Sequence, residues 1–381
     1  MTLLRDGFDG LPGGGIRLRM WSGAGAAAGA LIEKMELKKR HWPTNFKVKT
    51  QHAGDEQKWA HAAFHAGHIE CLQQGYAPEQ KLHKLDIVGA YPWGCIALPS
   101  MRDSEYETVK VPLYKIEQTN ILSMFKVVWR FPETITRRGV IIPLRLFPLP
   151  YRSKKLHGAI LYPAIGRGIY FRDDVVHALK WIEASGLRYG KDYEFIVEEA
   201  MMFHPGNDEM PFQGDNAMGI GVVDIYEQRR LIKEVNPDDI REKTYKLPLN
   251  SLYGKFAQRI GGDGFNPPPT ANPWWAGAIT ASCRRRVGEA VLSEPGAITD
   301  GGLVVGFMTD GIVTTRPLTR LERVKEKANK GERKELGDWE HEVVTGMMSL
   351  QSGFYTDSSQ TNMRGTARLS SAGRMTTCMN Y

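Results

Sequence analysis

The chain has 381 residues, of which 42% are hydrophobic and 24% charged, and its formal net charge is +7. This is an ordinary globular composition with room for more than one domain, and the basic balance favours a polyanionic partner. No apolar run reaches the roughly 18 residues of a membrane-spanning helix. The cysteines, Cys71, Cys95, Cys283 and Cys378, form no CxxC pair. A disulfide framework and a zinc ribbon are therefore excluded, and a reducing compartment is expected.

The first third of the chain predicts helices followed by one buried strand. Residues 21–71 are expected to be mainly helical, and the Gly/Ala stretch 23–30 is too weakly apolar for a secretory signal peptide. Residues 82–88 predict a buried strand that carries Asp86 near its end, and residues 89–92 (GAYP) predict a turn.

The middle of the chain alternates between short strands and helices. Residues 100–165 predict short strands separated by proline-rich turns, and residues 193–203 predict a further strand. Helices are predicted over residues 173–185, 224–235, 236–258 and 275–292. The third of these begins with Asn-Pro-Asp-Asp, which supplies a cap, a proline and two acids in the first turn.

Residues 303–315 (LVVGFMTDGIVTT) contain Asp-Gly between two β-rich runs, the strongest hairpin signal in the chain. A charged helix is predicted around residues 319–346, followed by an irregular polar tail. Because strands and helices interleave without a regular βαβ alternation, we expect an α+β fold.

Two neighbouring predicted helices carry cations that could either bind a ligand or form an ordinary protein surface. On the helix of residues 236–258, Lys246, Asn250, Tyr253 and Gly254 share one face. One helix earlier, Arg229 and Lys233 lie four residues apart and could grip a triphosphate. By periodicity alone, an ordinary surface is the favoured interpretation of both sets, with a buried Tyr253 in the first and salt bridges in the second.

Two acidic residues lie where strands end. Asp86 closes an apolar strand and Asp310 lies at the tip of the predicted hairpin. Carboxylates at strand ends are typical ligands of Mg²⁺, although either residue could serve only as a turn residue. Sequence spacing cannot pair them, because most of the chain lies between them.

Taken in order, these segments resemble the family B DNA polymerases, and most closely the branch with protein-primed phage and plasmid enzymes. Residues 246–254 (KLPLNSLYG) fit the motif Kx3NSxYG at every fixed position, and residues 86–92 (DIVGAYP) resemble Dx2SLYP. Residues 307–311 (FMTDG) resemble YxDTDS, with Met308 at the first Asp and Gly311 at the Ser. Asp310 occupies the second Asp, the consistent metal ligand in the family.

Two further segments resemble DNA-binding motifs of the family. Residues 64–67 (FHAG) resemble YxGG/A, in which Phe64, Ala66 and Gly67 would handle the template. Tyr355 would stand at the Tyr of KxY against the primer strand, although the Lys is missing, and Thr309 would lie beside the DNA. The resemblance extends over roughly residues 60–360.

The resemblance implies a right-hand polymerase with an antiparallel-sheet palm and two-helix fingers. The expected divisions are a linker or remnant (1–60), a first palm segment (61–222), the fingers (223–260), a second palm segment (261–318) and the start of a thumb with a tail (319–381). No Asp-x-Glu exonuclease motif precedes residue 60. The exonuclease domain is therefore expected to be missing and the thumb to be partial or absent.

The resemblance also implies a mechanism. Two Mg²⁺ ions, or Mn²⁺ in their place, would be held by Asp86, Asp310 and the backbone carbonyl of Ile87. The nucleotide would contact Gly89, Ala90 and Tyr91 on one side, with Tyr91 excluding a 2′-hydroxyl. Its remaining contacts would come from Arg229, Lys233, Lys246, Asn250, Tyr253 and Gly254.

The expected partners are primer-template DNA and dNTPs, with a terminal protein primer as a further partner of this branch. We expect a monomer, without membrane contact, in the cytoplasm of a bacterium or a virus-infected cell. One alternative is a degenerate polymerase fold that binds DNA without turnover, since Met308 replaces an acid. A reverse transcriptase or RNA polymerase is the other, but those enzymes lack Kx3NSxYG.

Overall fold

The computed structural model describes residues 8–11, 15–16, 23–44, 47–49, 54–156, 158–214, 220–236, 238–258, 268–329, 332–352, 354–356, 367–369 and 375–377. Its α-helices are α1 (Ala24–Lys34), α2 (Leu37–Arg40), α3 (Asp55–Ala63), α4 (Ala90–Ile96), α5 (Arg172–Ser185), α6 (Val222–Val235), α7 (Ile240–Phe256) and α8 (Pro273–Leu292). The strands are β1 (Lys47–Lys49), β2 (His68–Cys71), β3 (Gly75–Ile87), β4 (Glu105–Val109), β5 (Met124–Arg130), β6 (Thr134–Arg137), β7 (Val140–Pro143), β8 (Tyr151–Ser153), β9 (Ala159–Leu161), β10 (Ile165–Phe171), β11 (Glu194–His204), β12 (Val304–Thr309), β13 (Gly311–Thr314), β14 (Val324–Glu326), β15 (Trp339–Gln351), β16 (Phe354–Thr356), β17 (Ala367–Leu369) and β18 (Met375–Thr377).

The larger sheet is built around β3. Its strand order is β14-β15-β3-β13-β12-β2, with β16 paired to β15, and the ladders on both sides of β3 are antiparallel. Side chains alternate between its two faces, so Leu85 and Ile87 pack into one apolar core while Leu82 packs into another. The strand therefore delivers its last acidic residue to the face opposite Ile87.

The smaller sheet has the order β1-β4-β11-β5-β10 and is antiparallel except for β1 with β4. Helix α5 covers it, and Trp129 of β5 and Trp181 of α5 are fully buried in the core between them. The fold is thus mixed, with mainly antiparallel sheets, as the α+β prediction required.

Helix α8 lies in the middle of the molecule. Every residue from its first turn through Arg284 is buried. Trp275 makes edge-on contacts with Phe212, Phe256 and Trp42, and α1 packs along α7 in the same core. Across the described ranges, we find no helix that combines the length and the apolar character needed to cross a bilayer.

Most predicted elements are confirmed, but the charged helix at residues 319–346 is wrong. The described part of this stretch instead contains β14 and the first part of β15, which pairs with β3 from Trp339 onwards. Charged residues made the segment look helical, but alternate residues of β15 face opposite sides of the sheet. Gly337 and Gly346, both with positive φ, also oppose a continuous helix.

Two helix starts differ from the prediction. The expected turn at residues 89–92 is the first turn of α4, with only Gly89 outside the helix. Pro92 is tolerated because the first N–H groups of a helix have no partner within it. Helix α7 is capped by Asp239 instead of Asn236, since the Asp239 carboxylate accepts a hydrogen bond from the amide of Arg241 (2.9 Å).

Candidate active site

Asp86 and Asp310 lie side by side, although most of the chain separates them. Strand β13 pairs with β3 so that Gly311 is opposite Asp86, and the amide of Ile87 donates to the carbonyl of Asp310 (2.9 Å). A Cβ atom at Gly311 would overlap the Asp86 carboxylate. The missing side chain at position 311 therefore makes room for Asp86 beside the hairpin.

The proximity of the two carboxylates changes the acidity of one of them. Burial, followed by the negative charge of Asp86, raises the pKa of Asp310 from 3.8 to about 6. Both effects disfavour the ionised form. A divalent cation would act in the opposite direction, because it stabilises both carboxylates as anions.

The donor atoms at this point suit Mg²⁺ by chemical type. Asp86 and Asp310 supply carboxylate oxygens, and the adjacent Ile87 supplies a backbone carbonyl, all of which are hard ligands. Within the part of the chain that the structure describes, no three His, Cys, Asp or Glu side chains cluster closely enough to hold a metal. A metal here would thus depend on two side chains, the backbone and its own water or substrate ligands.

Gly89 and Ala90 form the start of α4 directly after this strand. Gly89 has φ 58 and ψ 48, a left-handed conformation that glycine adopts without strain. Its position also lies against Leu336, whose Cδ2 would be 2.5 Å from a Cβ there. Ala90 is buried. The backbone conformation at position 89 therefore favours glycine.

Tyr91 of α4 and Tyr253 of α7 connect the sheet to the helical hairpin. Their rings stack with centroids 4.3 Å apart and planes inclined by 20°. Burial is the main cause that raises the pKa of Tyr253 to about 12, and burial also raises the pKa of Tyr91. Both phenols stay protonated at neutral pH, so they can donate hydrogen bonds.

Helix α7 has the face that the sequence predicted. Lys246, Asn250 and Gly254 are exposed, whereas Leu249 and Leu252 on the opposite side are buried. The helix therefore presents a cation and an amide to solvent on the same side as Tyr253.

On α6, Lys233 is exposed, but Arg229 forms an ion pair. The Arg229 guanidinium contacts Glu242 Oε1 of α7 at 2.6 Å and 2.8 Å. The salt-bridged interpretation thus describes Arg229 in this structure, and a phosphate would have to compete with Glu242.

Of the predicted DNA contacts, Gly67 and Thr309 lie together next to Asp310. A Cβ at Gly67 would come within 2.5 Å of Thr309 Cγ2, and β2 pairs with β12 so that His68 is opposite Thr309. The Ala66 carbonyl accepts a hydrogen bond (2.7 Å) from Arg284. Phe64 is partly buried and packs against the core near α3.

Known proteins share this fold. A solved structure of phi29 DNA polymerase matches 92% of this chain with a TM-score of 0.55 and 16% identity, and its complex with primer-template DNA and incoming nucleotides matches 89% with a TM-score of 0.54. The chain has the fold of phi29 DNA polymerase. The resemblance to the protein-primed branch of the family B DNA polymerases is thereby confirmed.

A curated relative supports the same resemblance. The DNA polymerase of Acidianus bottle-shaped virus (isolate Italy/Pozzuoli) is 26% identical over 248 residues, or 63% of this chain and 31% of the relative. The chain likewise covers 57% of the phi29 polymerase chain. It therefore spans only part of each protein. No protein-family model matches it.

Met308 and Tyr355 belong to two segments in which the sequence departs from the motifs that it resembles. Met308 packs against an apolar cluster that includes Leu82, Val305 and Val313. Tyr355 belongs to β16, where it pairs with Ser349, and its side chain lies outside the described part of the structure.

Sequence reasoning missed the buried residues that hold the Phe64–Gly67 backbone. The Arg284 guanidinium of α8 makes two 2.8 Å bonds to Asp174 of α5 and also donates to the carbonyls of His65 and Ala66. Three consecutive arginines in an otherwise apolar helix, Arg284–Arg286, were the available signal. A buried charge must be paired, so a partner from another element was to be expected.

Proposed function

We propose that the chain catalyses template-directed DNA synthesis, adding dNTPs to a primer 3′-hydroxyl by two-metal-ion nucleotidyl transfer. The observation that carries this proposal is the meeting of Asp86 and Asp310 beside the Tyr91–Tyr253 stack. The phi29 polymerase fold and the viral relative named DNA polymerase support it.

In this proposal strands β2, β3, β12 and β13 of the larger sheet belong to the palm, and α6 with α7 are the fingers. The divisions are those expected from the sequence, with palm segments at 61–222 and 261–318, fingers at 223–260, a thumb start at 319–381 and a preceding segment at 1–60. The antiparallel ladders on both sides of β3 and the paired α6 and α7 are consistent with it.

Asp86, Asp310 and the carbonyl of Ile87 would hold two Mg²⁺ or Mn²⁺ ions. Bound metal would lower the pKa of the primer hydroxyl and neutralise the leaving pyrophosphate. The protein's part is to fix the Asp86 carboxylate at the end of β3 and the Asp310 carboxylate in the turn between β12 and β13, in a half-buried site where charge interactions are strong.

The nucleotide would lie between α4 and the helical hairpin. Lys246 and Lys233, with Arg229 released from Glu242, would bind the triphosphate, and the amides of Gly89 and Ala90 would donate to it. Tyr91 would lie under the sugar and exclude a 2′-hydroxyl. Asn250, Tyr253 and Gly254 would line the nascent base pair.

DNA would pass Phe64, Ala66, Gly67, Thr309 and Tyr355. Primer-template DNA and nucleotides are bound in the phi29 polymerase complex of the same fold, which supports them as partners here. A monomer, a terminal protein primer and action inside a bacterial or virus-infected cell remain part of the proposal, and the viral relative supports the last of these.

The test is primer extension with purified protein, primed DNA, dNTPs and Mg²⁺. Wild-type protein should extend the primer, and Asp310→Asn should reduce the rate by roughly a thousandfold or more because it removes a metal ligand. Asp300→Asn is the matched control, since Asp300 precedes β12 and pairs with Arg316 at the surface. Extension by Asp310→Asn at the wild-type rate would exclude this mechanism.

A second candidate function is DNA binding without turnover. It is favoured by Met308, which packs against apolar side chains where the family has a carboxylate. Protein that binds primer-template in a fluorescence titration but incorporates no dNTP with Mg²⁺ or Mn²⁺ would support this alternative over the polymerase.

A further inference from the structure

Residues 332–338 cross from the larger sheet to the helical hairpin, and hydrogen bonds fix this segment at both ends. The amide of Gly337 donates to the carbonyl of Val88 (2.9 Å), and the amide of Val88 donates to the carbonyl of Asp338 (2.8 Å). At the other end, the hydroxyl of Tyr226 on α6 donates to the carbonyl of Lys334 (3.2 Å). The segment therefore lies directly over the start of α4.

The Lys334 side chain reaches across to Glu340 of β15. Its Nζ is 2.6 Å from Glu340 Oε1, and Glu340 is opposite Asp86 in the register of β15 with β3. Directly opposite residues in an antiparallel pair share one face, with Cβ atoms about 5 Å apart. The ammonium group of Lys334 thus lies on the same face of the sheet as Asp86, with only 18% of the side chain exposed.

The segment that carries Lys334 lies near groups that the proposed function assigns to the nucleotide. Leu336 of the same segment covers Gly89, and the ring of Tyr226 is 3.9 Å from the position of a Gly89 Cβ. Tyr226, Arg229 and Lys233 share one face of α6, because they are spaced by three and four residues. Lys334 is therefore placed between the amides of α4 and the cationic face of α6.

We propose that Lys334 is a further residue that positions the triphosphate of the incoming nucleotide, with Glu340 holding its side chain in place. An ammonium group has three donors, so Lys334 can keep its bond to Glu340 and still donate to phosphate oxygens. This inference rests on the proposed polymerase function. The cations predicted from the sequence all lie on α6 and α7, whereas Lys334 lies outside these two helices.

The variant that tests it is Lys334→Gln, compared with Lys327→Gln. Lys327 makes an equivalent bond to Glu342 (2.7 Å), but Glu342 lies opposite Lys84 and not opposite Asp86. Affinity for dNTP is measured with Ca²⁺ and a dideoxy-terminated primer, which needs no turnover. KM and kcat for dNTP and inhibition by pyrophosphate are measured with Mg²⁺.

We expect Lys334→Gln to lower the affinity for dNTP about tenfold, to raise KM for dNTP about tenfold and to weaken inhibition by pyrophosphate about tenfold. This is the usual order for one lost charge-assisted bond. Primer-template affinity and kcat should change less than twofold, Lys334→Arg should recover most of the loss, and Lys327→Gln should match wild type. Only this separation of KM from kcat, with rescue by Arg, supports a phosphate contact.

The failing outcomes are distinguishable. Wild-type protein that neither binds dNTP nor extends a primer overturns the proposed function, and this inference with it. Active wild type with unchanged nucleotide affinity in Lys334→Gln overturns this inference alone. Equal losses in Lys334→Gln and Lys327→Gln, or a parallel loss of primer-template binding, would mean that Lys334 only stabilises the fold.

Discussion

Two pairs of charged side chains lie close to helix α8. One pair combines opposite charges, and the other combines like charges. Arg284 and Asp174 are opposite charges, almost completely buried, with two 2.8 Å bonds between them. Asp86 at the end of β3 and Asp310 in the β12–β13 turn are like charges, and both are half-buried. The charges of Arg284 and Asp174 attract each other, whereas the carboxylates of Asp86 and Asp310 repel each other.

The acidities record this difference. Burial alone would lower the pKa of the Arg284 guanidinium, but the Asp174 carboxylate raises it well above normal, so the charge is held firmly. The pKa of Asp310 is raised to about 6, so its charge is disfavoured. The Arg284–Asp174 pair positions the backbone around it, whereas a carboxylate with a raised pKa beside a second carboxylate is typical of functional sites.

The largest expected effect comes from breaking the Arg284–Asp174 pair. Arg284→Met should lower the free energy of unfolding by about 3–5 kcal/mol, because it leaves the Asp174 carboxylate buried without its partner. Urea unfolding followed by circular dichroism measures this change. Lys327→Met, which removes a more exposed pair, should cost less than about 1 kcal/mol. Similar losses in both variants would show that burial does not distinguish these pairs.

A smaller effect is expected from crowding the pair of like charges. In Gly311→Ala the new methyl group would overlap the Asp86 carboxylate and push it away from Asp310. Primer extension should fall about 100-fold, which is typical of a displacement near 1 Å in a catalytic group. Gly302→Ala is the control, since its Cβ would lie 3.5 Å from the nearest atom, Asp300 Oδ1. Wild-type activity in Gly311→Ala would place the reaction elsewhere.

The smallest effect is a gain in stability when the repulsion is removed. The folded pKa of Asp310, about 6, lies above its ordinary value of 3.8, so the folded state binds the proton more tightly. Its contribution to stability therefore falls as pH rises from about 4 through 6. In EDTA at pH 7.5, Asp310→Asn should be more stable than wild type by roughly 1–3 kcal/mol.

The same variant has an internal control in pH and metal. Below about pH 4, where Asp310 is protonated in both states, the stability difference should vanish. Added Mg²⁺ or Mn²⁺ should raise the melting temperature of wild type but not that of Asp310→Asn, because binding to the folded state stabilises it. Identical responses to metal would argue against Asp310 as a ligand.

Local signals in the sequence predicted local structure well. The Asp-Gly pair correctly predicted the β12–β13 hairpin. Helical periodicity correctly predicted the exposed face of α7 with Lys246 and Asn250. The pairing of Asp86 with Asp310 required a family resemblance, because it depends on which strands become neighbours and not on any local pattern.

The errors have the same origin. Residues 319–346 were assigned to a helix because their charges suit one, but the ladder between β15 and β3 overrides that preference. The contacts of Arg284, Lys334 and Glu340 were missed because each joins segments that are distant along the chain. Long-range packing, which sequence periodicity does not encode, is what places them.

The position of β3 has a consequence for how the protein is made. Both of its neighbours, β13 and β15, leave the ribosome long after β3, because most of the chain lies between β3 and these two strands. Until then β3 has two open edges, and Asp86 carries its charge without the repulsion of Asp310. The carboxylate pair therefore assembles late in biogenesis. Any slowing of translation between α8 and β15 would prolong the period in which the open edges of β3 can pair with other chains.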